Sequence, residues 1–408
     1  MQDTELYRQI LGITAPWSVS EVKLDVAVQR VDVWVTHAEG VRFACPTCGT
    51  ELPGYDHAES RSWRHLDTCH FQTFLHAQTP RVQCPTHGIV QARVPWAEPR
   101  SRFTLLFERL AIEVLKGCSL TAAGRVLDLS WDEAWGIMER AVARGQARKA
   151  PTRMRYVGVD EKSIRKGHRF HTLVVDLEAS TVEAVRPERT EESLAGYFRT
   201  LTDEQKAGIA GIAMDMWPAY IGATRAEIPD ADRKIVFDRF HVMKYLNEAV
   251  DMVRRRENRA LRAQGDDRLT GTKYLWLHGR ERVPRRRQRA FAALRRTGLK
   301  VARAWALKEE FRGLWGYTRL GWARAFWRWW YGWATRSRLR PMLHVAGVLR
   351  RHIENILTYI EHPITNATLE GINGKIQTVK KWACGFRNDD HFKTAILFHC
   401  GGLNLYPC

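Results

Sequence analysis

Two short runs, Cys45-Pro46-Thr47-Cys48-Gly49 and Cys84-Pro85-Thr86-His87-Gly88, are separated by 34 residues and constrain the first quarter of the chain more than any other feature. A C-x-x-C or C-x-x-H turn offers two ligands to one ion, and a matched pair of such turns builds one tetrahedral zinc site. The glycine after each pair frees the backbone to wrap the sulfur. Cys45, Cys48, Cys84 and His87 are therefore the expected ligands of one structural Zn²⁺, replacing a core that strand and loop of this length cannot build alone. Cys69 and His70, between the knuckles, are reserve ligands because they belong to no paired turn. Ahead of the first knuckle, Val22, Leu24, Val26 and Val28, then Val33 and Val35, alternate around a turn at His37–Gly40, predicting short antiparallel strands. Cys118, Cys384, Cys400 and Cys408 carry no motif and read as buried or incidental thiols.

The chain has 408 residues and a formal charge of +19. From Phe240 to His362 there are 28 Lys and Arg against 10 Asp and Glu, whereas the other 285 residues hold 36 against 35. One third of the chain thus carries nearly all the excess. It includes Arg254-Arg255-Arg256, Arg285-Arg286-Arg287 and seven tryptophans between Trp305 and Trp333. Arg with Trp suits phosphate contact and base stacking. Trp315, Trp322, Trp327 and Trp330 also read as helical core fillers with Arg312, Arg319, Arg324 and Arg328 on the solvated side. No segment pairs these basic residues with a lipid-facing stripe, so nucleic acid is the expected polyanion and no membrane partner is expected. Met1–Ile10 lacks the pattern of a signal peptide, which predicts a cytoplasmic address.

After Pro95 and Pro99, Ser101 opens an amphipathic run with Phe103, Phe107, Leu110, Val114 and Leu115 on one stripe, closing at Gly117. Ser119 starts a short helix to Leu127, and Ser130-Trp131-Asp132-Glu133 is a capping box for a third. The tight turn at Asp128–Ser130 predicts a helix-turn-helix over 99–150, with the third helix for a DNA major groove, or else a plain three-helix connector.

Beyond Pro151 the pattern becomes three strands, helix, strand, helix, strand, the order of an RNase H-like sheet. Tyr156–Asp160 ends in a carboxylate and leads to a basic turn with Arg165 and Lys166. The later strands end at Asp215 and at Asp238 with His241. Asp160 and Asp215 are expected on adjacent strands, pointing at one place, with a third acid on a later helix. His362–Asn366 caps that helix; Leu369, Ile372, Ile376 and Val379 are its buried stripe, leaving Glu370, Asn373, Gln377 and Lys381 on a polar face. Each acid has an ordinary alternative: Asp215 and Asp238 as helix N-caps, Glu370 as a dipole-favoured first-turn acid. Glu161, next to Asp160 on a strand, is expected to face the other way.

Val159-Asp160-Glu161, Met214-Asp215-Met216-Trp217-Pro218, Asp238-Arg239-Phe240-His241 and Asn366–Asn373 with Gly385-Phe386-Arg387 together resemble the DDE transposases of bacterial insertion sequences, most closely the ISL-three group. Trp63–Asp67 and Val94–Ala97 extend the likeness, which runs from about Cys45 to Gly402. The resemblance implies a multidomain α+β protein: a β-rich zinc module over 1–98, the helix-turn-helix over 99–150, an RNase H-like α/β catalytic core over 151–239 and 363–408, and an all-helical insertion over 240–362. It makes Asp160, Asp215 and Glu370 the acidic triad, holding two Mg²⁺ or Mn²⁺, with Asp238 and His241 auxiliary. Three clustered carboxylates repel unless divalent cations neutralise them, and two such ions suit in-line displacement at phosphorus. The implied partners are double-stranded DNA, both the element's terminal repeats and the target, and a second copy of the chain on DNA. Arg165, Lys166, Arg285, Arg286, Arg287, Lys375, Lys380 and Lys381 are the candidate DNA contacts. A DNA-binding regulator without catalysis and a structure-selective nuclease are the rival readings; the three acids count against the first, the sequence-reading front end against the second.

Overall fold

The computed structural model describes residues 3–151, 153–165, 169–364 and 367–407. Of the candidate positions, Lys166, Asn366 and Cys408, together with the side chain of Arg165, lie outside the described residues. The chain divides into two units, Met1–Lys149 with Leu403–Cys408, and Ala150–Gly402. Among the described residues no helix is long and apolar enough to cross a membrane.

In the first unit, helix α1 (Asp3–Ile10) precedes strands β1 (Trp17–Asp25), β2 (Arg30–His37) and β3 (Arg42–Ala44), the long hairpin β4 (Glu51–Thr68) and β5 (Phe71–Cys84), and β6 (Gly88–Gln91). The sheet runs β1-β2-β5-β4-β3, with β6 on β5 and only β2–β5 parallel. Val31, Val33 and Val35 point into a core with Trp63, Leu75 and Val82, where Trp17 and Trp96 meet edge to face at 4.9 Å. The alternating strand stops earlier than expected. Val26 and Val28 lie in the β1–β2 turn, 67% and 65% exposed, because the chain reverses at 26–29 with Gln29 at φ 52°.

Helices α2 (Leu105–Gly117), α3 (Leu120–Leu127) and α4 (Trp131–Arg148) follow. The cap of α2 is Thr104, not Ser101. Ser101 is buried and donates to Glu108 Oε1 at 2.8 Å, while the inward stripe is Phe107, Ala111, Ile112 and Leu115, leaving Leu110 exposed. The Ser130–Glu133 capping box forms, and Asp128 ends α3 in the left-handed conformation. Zinc module and helices, expected as separate domains, share one unit: Thr104 N–H donates to the Arg64 carbonyl and Arg64 N–H to that of Arg102, and His65 Nδ1 lies 2.9 Å from Thr104 Oγ1. The last residues, expected with the catalytic core, also belong here, since Arg144 and Arg148 donate to the carbonyls of Leu405 and Tyr406.

Glu108, 1% exposed, receives Arg140 Nη2 at 2.5 Å and Arg144 Nη2 at 2.9 Å, and Arg144 also grips Glu98. Removing one partner from a buried ion network strands the others without solvation, at a cost of about 3–5 kcal/mol. Glu108→Ala should lower the thermal midpoint of unfolding in the full chain accordingly. Arg140→Ala should cost much less, because the Arg140 side chain is 31% exposed; equal losses would contradict this ranking.

The second unit begins with β7 (Tyr156–Arg165), β8 (Arg169–Asp176) and β9 (Thr181–Pro187), then α5 (Glu191–Phe198), α6 (Asp203–Gly208), β10 (Gly211–Met214), α7 (Pro218–Glu227), α8 (Ala231–Lys234) and β11 (Ile235–Phe237). The sheet order is β11-β10-β7-β8-β9, with β7, β10 and β11 parallel and β7–β8–β9 antiparallel. Helix α6, opened by a Thr202–Gln205 capping box, ends at Gly208, just ahead of β10.

A helical run separates β11 from the final pair: α9 (Arg239–Arg262), α10 (Lys273–Leu277), α11 (Arg285–Arg295), α12 (Lys300–Phe311), α13 (Leu320–Arg336), α14 (Arg340–Arg351) and α15 (Ile353–Leu357), then α16 (Ala367–Trp382) and α17 (Asp389–Cys400). One continuous core joins sheet and helical run, from Val157 and Phe237 through Leu246 and Trp276 to Trp330 and Ile356. Lys308, 1% exposed, donates to the carbonyls of Trp276, Leu277 and His278, closing the C-terminus of α10. Trp327 and Trp330 are core residues as expected, and Trp315 is half-buried against Phe311 and Tyr359. Trp322 is not: α13 turns Ala323, Trp327, Trp330 and Ala334 inward, so Trp322 and Trp329, two turns apart, lie outside at 64% and 53% exposure.

Candidate active site and zinc centre

Parallel pairing of β7 with β10 and of β10 with β11 sets Asp160 beside the C-terminal ends of β10 and β11; β7, expected to end at Asp160, runs on to Arg165 because it stays paired with β8. Asp160 lies on β7, Asp215 follows β10 directly, and Asp238 follows β11 as the N-cap of α9. Ligand crevices of open α/β sheets form at such strand ends. Here Asp160 and Asp215 line one cleft of about 380 Å³ with Glu161, Arg189, Trp217, Tyr220, His241 and Lys244.

Both oxygens of Asp160 are held. Oδ2 accepts from Asn373 Nδ2 at 2.5 Å and Oδ1 from the Glu161 N–H at 2.8 Å. Burial raises the Asp160 pKa, partly offset by the Asn373 bond, and the nearby Asp215 charge raises it further. Helix α16 can approach because Gly158 has no side chain; a Cβ there would come within 2.7 Å of Leu177 and 3.0 Å of Leu369. Lys162 donates to the Asn373 carbonyl at 3.1 Å and Lys380 to that of Ser163 at 3.0 Å, tying β7 to α16.

His241 Nδ1 is 2.7 Å from Asp215 Oδ1 and 3.1 Å from Asp238 Oδ2. These two bonds push its pKa up to about 10 against the effect of burial, so an imidazolium bridges the two carboxylates at neutral pH. Asp215, Asp238 and His241 offer ligand atoms within 4.8 Å of one another.

Glu370 is not drawn into this cleft. It sits exposed in the first turn of α16, where the helix dipole favours an acid, and lines the neighbouring groove with Asp238, Phe240, Arg312 and Trp315. Asn373, one turn further along α16, is the residue that touches Asp160. Glu161, expected to face away, lines the cleft as well, its carboxylate 2.8 Å from Arg189 Nη1. Sequence reading missed Arg189, Tyr220 and Lys244 as cleft residues, and no motif marks them. Asn373 had one signal, its place three residues after Glu370 on the same polar face.

Arg285, Arg286 and Arg287 are exposed in the first turn of α11, where cations oppose the helix dipole. Lys375 and Lys381 are exposed, whereas Lys380 is half-buried in its bond to Ser163.

In the first unit, Cys48 Sγ and Cys84 Sγ are 3.6 Å apart, and His87 Nδ1 lies 3.4 Å from Cys84 Sγ and 3.7 Å from Cys45 Sγ. Zn–S bonds of about 2.3 Å and Zn–N bonds of about 2.0 Å imply tetrahedral edges of roughly 3.5–3.8 Å, so the donor set fits zinc. The reserve ligands stand apart from this cluster: Cys69 is exposed at the tip of the β4–β5 hairpin, and His70 packs on Phe71.

A zinc-ligating front end, a three-helix module and paired acids from adjacent parallel strands are the parts of a protein that reads and processes DNA. Residues 157–396 match the ISL3 family model described as a transposase, residues 42–87 the zinc finger of transposases of the IS204, IS1001, IS1096 and IS1165 elements, and residues 92–142 the helix-turn-helix domain of transposase family ISL3. The chain belongs to the ISL3 family of transposases. It is 28% identical over 419 residues to the transposase for insertion sequence element IS1557 of Mycobacterium tuberculosis, covering 95% of this chain and 93% of that protein. It is also 28% identical over 353 residues to the transposase for IS1001 of Bordetella parapertussis, covering 85% and 86%.

Proposed function

We propose that this transposase binds the terminal inverted repeats of its element, cleaves DNA there and joins the freed 3′-hydroxyls to target DNA, with Asp160, Asp215 and Glu370 as the acidic triad. The observation that carries the reading is the convergence of Asp160 and Asp215, from adjacent parallel strands, on one cleft in a chain of a transposase family. The strand order β11-β10-β7-β8-β9 supports an RNase H-like core, with 240–362 as its helical insertion. Asp160, buried beside the Asp215 charge, offers hard carboxylate oxygens that suit divalent cations. Asp160 and Asp215, joined by Glu370 from the neighbouring groove, would hold two Mg²⁺ or Mn²⁺, which would supply the activated nucleophile and stabilise the leaving oxygen. Asn373 fixes the Asp160 carboxylate, and His241 holds Asp215 and Asp238 at a set spacing. Helix α4 would read the terminal repeat, the zinc ligands would hold the β-sheet before it in shape, and two copies would pair two ends at the nucleoid.

The test is a strand-transfer assay with the full chain, a labelled duplex carrying the terminal repeat, a plasmid target and Mg²⁺, beside Asp215→Asn. Joined product from the native protein and none from the variant is the expected result. Binding without cleavage would favour a regulator, and cleavage without joining a nuclease. The arginines of α11 add a separate expectation. Replacing Arg285, Arg286 and Arg287 together by Gln should weaken duplex binding and flatten the slope of log K against log salt by about 2–3, close to one per lost phosphate contact. An unchanged slope would remove these residues from the DNA interface.

A further inference from the structure

Arg189 stands between β9 and the N-cap Thr190 of α5, a stretch in which no sequence motif marks it. Its guanidinium carbon lies 4.4 Å from the ring centre of Phe170, on β8, and 4.6 Å from that of Trp217, which follows Asp215 by two residues. Trp217 Nε1 donates to the Arg189 carbonyl at 3.1 Å, so one ring holds both the backbone and the head of the same residue. The residue before it, Glu188, has φ +62°, a left-handed conformation costly for a side chain of this kind, and its carbonyl accepts from Thr172 Oγ1 at 2.7 Å. Two aromatic rings, a strained residue and a buried hydroxyl thus fix one guanidinium at the wall of the cleft that holds Asp160 and Asp215.

The ion pair with Glu161 does not account for this arrangement. It engages Nη1 alone among the described residues, and both side chains are about one-third exposed, where such pairs contribute little. A guanidinium presents five donors in a flat fork suited to phosphate and stacks on aromatic faces, as an ammonium does not. The cleft also sets an electrostatic problem. Asp160, Glu161, Asp215 and Glu248 all line it, so an incoming polyanion meets like charge, and Arg189 and Lys244 are the Lys and Arg residues placed there to oppose it.

We propose that Arg189, clamped between Phe170 and Trp217, is a phosphate-binding subsite that takes one DNA backbone phosphodiester beside the bond to be cut. This deepens the proposed function and rests on Asp160 and Asp215 marking the reacting position. Arg189 is then a positioning residue that exchanges Glu161 for a phosphate oxygen when DNA enters.

The test uses the full chain and a terminal-repeat duplex without divalent metal, so that binding is read apart from cleavage. Arg189→Ala should weaken binding about tenfold and flatten the log K against log salt slope by about 1. A series of duplexes, each with one methylphosphonate in place of a phosphate, locates the contact. At one position the neutral linkage should weaken the native protein by that same factor and leave Arg189→Ala unaffected. Glu161→Gln removes the competing carboxylate and should tighten binding two- to threefold, a change that misfolding would not produce. If the variant and native proteins show the same losses at every methylphosphonate, or if Glu161→Gln weakens binding at an unchanged melting point, the subsite is overturned. Failure of the underlying reading looks different: Asp160→Asn would still cut the duplex, whatever the methylphosphonate series gives.

Discussion

Asp160→Asn is expected to lower strand transfer by on the order of 10³-fold while leaving duplex binding as tight as in the native protein or tighter. Loss of an anion from a cleft that receives DNA cannot weaken attraction for it, so the two readouts should separate cleanly. The structural reason for so large an effect is that Asp160 is buried and held at both oxygens, leaving it no freedom to be replaced by a neighbour. Glu161 is the nearest carboxylate in sequence, yet Arg189 engages it. Asn373→Ala supplies the graded comparison. It keeps the carboxylate and removes the donor that orients it, so a fall of about 10–100-fold with a raised Mg²⁺ requirement is expected, as for residues that position a ligand. Strand transfer by Asp160→Asn within about tenfold of native would refute the assignment of Asp160 to the reacting centre.

How much of this could be read from the sequence depends on the range of the interaction involved. The Ser130–Glu133 capping box and the two knuckles are local: their partners lie within three residues, and the turn chemistry is written in the residue types. The convergence of Asp160 and Asp215 follows from strand order, since each acid closes a hydrophobic run of a recognisable α/β pattern, although β7 itself continues past Asp160 to Arg165. Val26 and Val28 were misleading because a valine in an exposed turn has the same letter as one in a strand, and only the partner strand decides where the chain reverses. The long β4–β5 hairpin escaped because its register shifts at Gly54/Asp56 and His57/Ser60 break the period of two. Trp322 and Trp330 sit on one helix with similar neighbours, yet one is buried against Phe311 and Leu307 and the other is not. Arg189 was the least legible: its role depends on Phe170, Trp217 and Glu161, none of them adjacent in sequence.

The second large effect belongs to the zinc ligands. Cys84→Ser, or prolonged chelation of the native protein, is expected to remove one zinc per chain, lower the first melting transition and abolish specific binding to the terminal repeat. The four donors meet at the open end of the β4–β5 hairpin, Cys45 and Cys48 before it, Cys84 as the last residue of β5 and His87 after it, so the ion closes a ribbon otherwise held by backbone pairing. Cys45 and Cys84 are 1% and 3% exposed, and with the metal gone they would leave buried thiols crowded without a counter-ion. Structural zinc sites contribute on the order of 10 kcal/mol, more than a β-rich module of this size retains without them. The effect should reach DNA binding through contacts inside the first unit: β4 meets the segment before α2 through Arg64 and Thr104, and Gln72 donates to Asp128 at the turn before α4 at 2.5 Å. Cys69→Ser is the matched control. Its thiol is exposed at the opposite end of the hairpin, so zinc content, melting and binding should all stay native. If Cys84→Ser kept its zinc and its affinity while Cys69→Ser lost both, the ligand set would have to be redrawn around the hairpin tip.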